Sequence, residues 1–320
     1  MLSRIGNRHK KSWSTMTESI GFLADDNSSF RNADGHKIIC RSWTPEGQPR
    51  YVRNLTFMHF GTNEESNAPH DALTQALHCL SHNRHTRFFA HPQTKHLGHG
   101  KSEGPRAIVD SVDTYVQDLF THLDTVRQRY PGRPVYLFGH SMGGLLVAAA
   151  ALKRPKDFAG IVMMAPLLAM DKEQATWFRT TMARFLGRIV PNLPISSLDL
   201  SLVSKDPAVV NWMTQDPLRY HGLVRVGWAA AILKALEEVQ SKMETFEVPF
   251  LIQHGSADKL CDLGGSELFF KKALSKDKTI KVYNDSYHNL LMEPDGVGDQ
   301  VLKDIAEWYA TRVPEVSQQT

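Results

Sequence analysis

Cysteine is scarce in these 320 residues: Cys40, Cys79 and Cys261 are the only three, far apart and without C-x-x-C spacing. An odd number so separated excludes a disulfide framework and suits a reducing compartment. Long apolar runs are missing too. None approaches the roughly 18 residues that span a bilayer, and the N-terminus lacks the apolar core of a secretory signal. The body of the chain has almost no excess charge. Lys and Arg number 37 against 34 Asp and Glu, and Arg4, Arg8, Lys10 and Lys11 all sit in residues 1–17, which contain no acid. That near-neutral body excludes the broad basic face of a nucleic-acid-binding protein. Repeats and low-complexity segments are also absent. What is left is an ordinary globular composition, 42% apolar and 22% charged, long enough for one large domain with a sizeable core.

The basic start reads as a disordered tail over residues 1–27. Its Arg, Lys and Ser content, with no acid before Glu18, also suits a mitochondrial presequence. After the turn signal Asn32-Ala33-Asp34-Gly35, strands are expected at 37–43, 55–60, 87–90, 135–138, 159–164, 250–253 and 279–283. Helical spacing is expected at 72–80, 108–129, 142–152 and 297–311. Short apolar strands alternating with helices imply an α/β fold, a mostly parallel central sheet with helices on both faces. One interval breaks the alternation. About eighty residues between Pro166 and Phe250 show no convincing strand and an amphipathic, helical composition. Trp177, Phe178, Met182, Phe185, Leu186, Ile189 and Val190 form an apolar stripe there, beside Arg179, Arg184 and Arg188. The interval reads as a helical insertion placed on the sheet.

Gly139-His140-Ser141-Met142-Gly143 matches G-x-S-x-G, between an expected core strand and an expected helix. That setting is what a nucleophile elbow requires. A serine at so sharp a turn is held in strained backbone geometry, and glycines at ±2 avoid collision with strand and helix. The turn lifts Oγ above the sheet and aims the first helix amide, that of Met142, at the place where an oxyanion would form. Serine needs a base, and the base an orienting acid. Both are expected where strands end. Asp258 follows the strand at 250–253, with Asp262 as the reserve acid. His288 follows the strand at 279–283. His254 stands at a strand end and is expected to point inward. The order Ser141, Asp258, His288 is that of α/β-hydrolases.

Over nearly its whole length the chain resembles the monoacylglycerol lipase family of serine hydrolases. The resemblance rests on Gly98-His99-Gly100-Lys101-Ser102-Glu103-Gly104, Gly139-His140-Ser141-Met142-Gly143-Gly144, Pro191-Asn192-Leu193, Asp216-Pro217-Leu218, Gly255-Ser256-Ala257-Asp258-Lys259-Leu260-Cys261-Asp262 and Tyr287-His288. It implies an α/β-hydrolase domain over 28–320 with a lid at about 167–247. It also implies hydrolysis of monoacylglycerols to fatty acid and glycerol through an acyl-enzyme, with Ser141, Asp258 and His288 as catalytic residues. No metal or organic cofactor is implied. The expected partners are a single-chain lipid ester and, through the basic amphipathic stretch 177–190, a membrane surface, giving a cytoplasmic, peripherally associated protein.

The chain departs from the family in three places. After the strand at 55–60 it reads His59-Phe60-Gly61-Thr62-Asn63, so the second oxyanion donor falls to the amide of Thr62 or Asn63, with Thr62 expected. Leu291 stands where the family has a second histidine, and Pro69 or His70 where it has an arginine. Both changes lie toward the glycerol end of the site. His78 and His82 could face one zinc ion, but no acid or cysteine joins them at suitable spacing, and they read as solvated. The competing functions are a lysophospholipase or broad carboxylesterase with the same triad, and a lipid-binding pseudoenzyme with an impaired oxyanion hole.

Overall fold

The computed structural model describes residues 22–25, 28–45, 51–57, 89–94, 96–170, 185–217 and 219–312. Strands β1 (Phe22–Asp25), β2 (Ser29–Arg31) and β3 (Lys37–Pro45) lead into β4 (Tyr51–Phe57) and β5 (Phe89–Thr94). Helix α1 (Val112–Arg129), β6 (Val135–His140), α2 (Met142–Lys153) and β7 (Gly160–Met164) follow. The interval after β7 holds β8 (Pro194–Ser196), α3 (Pro207–Gln215), β9 (Val224–Arg225) and α4 (Val226–Ser241). The chain then returns through β10 (Phe250–Gly255), α5 (Leu263–Lys272), β11 (Lys278–Tyr283) and α6 (Val297–Ala310).

The main sheet runs β1-β3-β5-β4-β6-β7-β10-β11, with β2 beside β3. Pairs on the β1–β3–β5 side are antiparallel, and from β5 to β11 every pair is parallel. The α/β-hydrolase architecture expected from the sequence is therefore present. The central strands are buried on both faces, and successive side chains alternate between two cores. Leu137, Ile161, Met163, Phe250 and Ile252 join the core shared with α1, α2 and α4. Their neighbours Tyr136, Phe138, Val162, Met164 and Leu251 pack against Val301, Ile305, Trp308 and Tyr309 of α6. A period of two with both faces apolar reads in sequence as a continuous hydrophobic run, because both faces are covered.

Helix α2 is buried almost all round, and its glycines and alanines let it approach the sheet. Helix α1 begins at Val112 rather than at 108, because the Ser111 hydroxyl caps it by accepting the Asp113 amide. Pro92-Gln93-Thr94, expected in a loop, lies in β5. The β4–β5 register skips residues 91 and 92, at the proline that has no N–H to donate. Among its described residues the interval after β7 holds helices α3 and α4, as expected of a helical insertion, but also the short β8–β9 hairpin. Phe22–Asp25 pair with β3, so the sheet begins inside the stretch expected to be tail. The expected helix 72–80, and residues 171–184 of the apolar stripe, lie outside the described residues.

The order of strands reverses between β4 and β6, since β4 continues outward to β5 while β6 starts the other half. Crevices for ligands open at the carboxyl ends of strands at such a reversal. Ser141 sits there, directly after β6.

Candidate active site

Ser141 links β6 to α2 with φ 58° and ψ −121°, a left-handed value that a serine adopts only when its surroundings enforce it. Here its amide donates to the Met164 carbonyl at 3.0 Å, and its own carbonyl accepts the amides of Gly144 and Leu167, each at 2.9 Å. Glycine is required two residues earlier: a Cβ on Gly139 would lie 2.2 Å from the Gly143 carbonyl oxygen. On Gly144 it would lie 2.5 Å from Cβ of Pro166. The Met142 amide opens α2, where helix N–H groups have no acceptor within their own helix. An amide so placed can serve an oxyanion, and the positive end of the helix dipole adds to the attraction.

Asp258 and His288 come from the loops after β10 and β11, neighbouring parallel strands whose carboxyl ends lie side by side. Nδ1–H of His288 donates to Oδ2 of Asp258 at 2.8 Å, with both residues buried. Because a carboxylate only accepts, this contact fixes the proton on Nδ1 and leaves Nε2 as the basic nitrogen. The other oxygen, Oδ1, accepts the amides of Leu260 at 2.8 Å and Cys261 at 3.0 Å. Burial alone would raise the Asp258 pKa. The charge of His288 and hydrogen bonds from His254 and His288 outweigh it and hold the carboxyl well below the usual range, so it stays ionised.

Asp262, the reserve acid, is engaged elsewhere: its carboxylate accepts the Gly264 amide at 2.9 Å and caps α5. His254 points inward, fully buried. Its Nε2 lies 3.2 Å from Asp258 Oδ2 and 3.1 Å from the Cys261 carbonyl oxygen, both acceptors, so Nε2 carries a proton. Nδ1 then accepts the Ser266 hydroxyl at 2.8 Å. Two imidazoles thus donate to one carboxylate oxygen.

Cys261 went unassigned in the sequence, although its place three residues after Asp258 was the available signal. Its thiol adjoins the Ser141 side chain. It also lies within 4.8 Å of an Asp258 oxygen and a His288 nitrogen. The three expected residues are therefore gathered around one buried sulfur. Burial and the Asp258 charge push the thiol well above its ordinary pKa, so it remains protonated and unreactive beside the serine. The carboxylate oxygens are already occupied by amides and imidazoles. This donor set favours proton transfer over metal binding.

Among the other expected residues, Leu291 packs against the α6 cluster. Thr62, Asn63, Pro69, His70, His78 and His82 lie outside the described residues. No helix among the described residues is long and apolar enough to cross a membrane.

A family model described as serine aminopeptidase, S33 matches residues 88–295. The monoglyceride lipase of Rattus norvegicus is 37% identical over 282 residues, covering 88% of this chain and 89% of the relative. The monoacylglycerol lipase of Mycolicibacterium smegmatis is 28% identical, covering 89% and 97%. Among solved structures, the monoacylglycerol lipase of Paleococcus ferrophilus superposes with a TM-score of 0.73 at 27% identity, covering 86% of this chain and 99% of that one.

Proposed function

The chain belongs to the serine aminopeptidase S33 family of α/β-hydrolases, together with the monoglyceride lipases, and we propose that it cleaves monoacylglycerols with Ser141, Asp258 and His288 as catalytic residues. It is a carboxylic ester hydrolase. What supports these roles is a strained serine at a strand–helix elbow and a buried imidazole whose Nδ1–H is held by an ionised carboxylate, with Cys261 adjoining both.

His288 Nε2 takes the Ser141 proton as Oγ bonds to the ester carbonyl carbon. The carbonyl oxygen becomes an oxyanion, stabilised by the Met142 amide and by Thr62 as the second donor. Collapse breaks the ester C–O bond. The departing glycerol oxygen takes the proton from His288, leaving an acyl-serine. Water then gives a proton to His288 and attacks the acyl carbon, and the fatty acid leaves as Ser141 regains its hydrogen.

A fluorophosphonate probe labels wild-type protein, and the label disappears in Ser141→Ala; labelling that survives the substitution sinks the nucleophile assignment. No labelling of wild type returns the pseudoenzyme reading. A substrate panel with one acyl chain and varied head groups tests specificity. Monoacylglycerols are cleaved at least as well as lysophospholipids and short aryl esters, and the reverse order favours the broader esterase.

The interval at about 167–247 acts as a lid that lies on lipid. Phe185, Ile189, Val190, Leu193, Ile195 and Leu223 are large apolar side chains left exposed within it, Phe185 and Ile189 at 61%, near the cations Arg188 and Arg225. So many exposed apolar groups in one segment fit an interfacial surface. Phe185→Ser with Ile189→Ser lowers sedimentation with anionic liposomes by at least about tenfold, while turnover of a soluble ester is kept. Unchanged sedimentation removes this surface as the anchor.

A further inference from the structure

Given the role proposed above for His288, we propose that Glu293 is a positioning residue for it, tying the His288 loop to residues 203–206 of the interval between β7 and β10. Glu293 is buried, only 4% exposed, and no step of the reaction uses it. Its two carboxylate oxygens accept backbone amides from two segments far apart in sequence. Oε2 takes the Tyr287 amide at 3.0 Å, and Oε1 takes the Lys205 amide at 3.1 Å. A buried carboxylate is stable only when its lone pairs are occupied, and here two main-chain donors occupy them.

The same two segments meet at further points around the histidine. The Asn289 amide donates to the Val203 carbonyl at 2.8 Å. The Ser204 hydroxyl donates to the Met292 carbonyl at 3.0 Å. Lys205 Nζ pairs with Asp285 at 2.5 Å and lies over the Tyr287 ring. The residues immediately before and after His288 therefore both hang on ties that involve Glu293 or the 203–206 segment. Asp258 holds the imidazole at Nδ1, whereas Glu293 holds the backbone from which it projects. Because 203–206 belongs to the proposed lid, the imidazole keeps its aim only while that segment stays docked.

Glu293→Gln keeps shape but replaces one acceptor oxygen with an NH₂ group, so one of the two amides loses its partner and faces a donor. Small displacements of a reacting group cost about 10²-fold in rate, so kcat and the rate of fluorophosphonate labelling fall by about 10- to 10²-fold with KM little changed. Hydrogen exchange at the Tyr287 and Lys205 amides speeds up together. A control separates positioning from general weakening: Val301→Ala, in the α6 cluster, lowers Tm but leaves kcat intact at a temperature where all variants are folded. Labelling of Glu293→Gln at the wild-type rate, or a loss no larger than that of Val301→Ala, overturns the proposal. Wild-type protein that takes no label overturns the catalytic reading instead, and this one with it.

Discussion

Asp258→Asn is expected to lower kcat by about 10⁴-fold with KM little changed, while Asp262→Asn keeps turnover within about twofold. In the variant, the asparagine oxygen stays with the amides of Leu260 and Cys261, which need an acceptor. Its NH₂ group then faces Nδ1 of His288, where a carboxylate oxygen stood at 2.8 Å. Two donors cannot face each other, so the imidazole moves its proton to Nε2 and loses the nitrogen that should receive the Ser141 hydrogen. His254, whose Nε2–H points at the same oxygen, meets the same conflict. At position 262 asparagine caps a helix about as well as aspartate, so neither activity nor stability changes much. Steady-state kinetics of the two variants decide the matter. Equal losses, or a larger loss at 262, would remove Asp258 as the orienting acid.

The second large effect is on stability in acid. Three histidines are buried here, His96 and His99 in the loop before α1 and His122 within α1. His96 and His99 pack on the Tyr115 ring, and His122 stacks on Phe30. Burial pushes His96 down to about 3 and His99 and His122 to about 4, with the neighbouring His99 lowering His96 further. A histidine whose folded pKa lies below its unfolded value contributes nothing unfavourable above the unfolded value. It destabilises the fold as pH falls from there toward the folded pKa, because the unfolded chain binds a proton that the native one refuses.

Buried Asp118 acts in the opposite sense. Burial raises it to about 6, so the native state gains a proton before the unfolded one does. Two protons net remain withheld, and stability falls by about 3 kcal/mol per pH unit between roughly pH 6 and 4. Such a slope consumes a typical stability of 5–15 kcal/mol within a few pH units. Urea unfolding midpoints measured from pH 7 to pH 4.5 read this directly, and His96→Leu makes the decline about half as steep. A midpoint indifferent to pH over that range would show that these histidines do not control acid stability.

Much of the fold and part of the site were legible in the sequence because local rules write them. The elbow at Gly139–Gly143 needs a tight turn with no side chain beside it, and only glycine supplies that. Both apolar faces of β6, β7 and β10 leave an unbroken hydrophobic run. Helix α5 was less visible, since Gly264 and Gly265 open it and its lysines blur the period. The β8–β9 hairpin is too short to leave a pattern at all.

Local order alone thus determined the central strands and most of the helices around them, the strained serine, and the succession Ser141, Asp258, His288. Asp258 and Asp262 stand four residues apart in one loop, and spacing alone does not tell that Asp258 meets His288 while Asp262 caps helix α5. The duties of His254, Cys261 and Glu293 likewise depend on contacts between loops that only the strand order brings together. Residue spacing governs what happens within a turn or two of backbone. Which oxygen receives which proton depends on distances across the sheet, and those exist only once the core has packed.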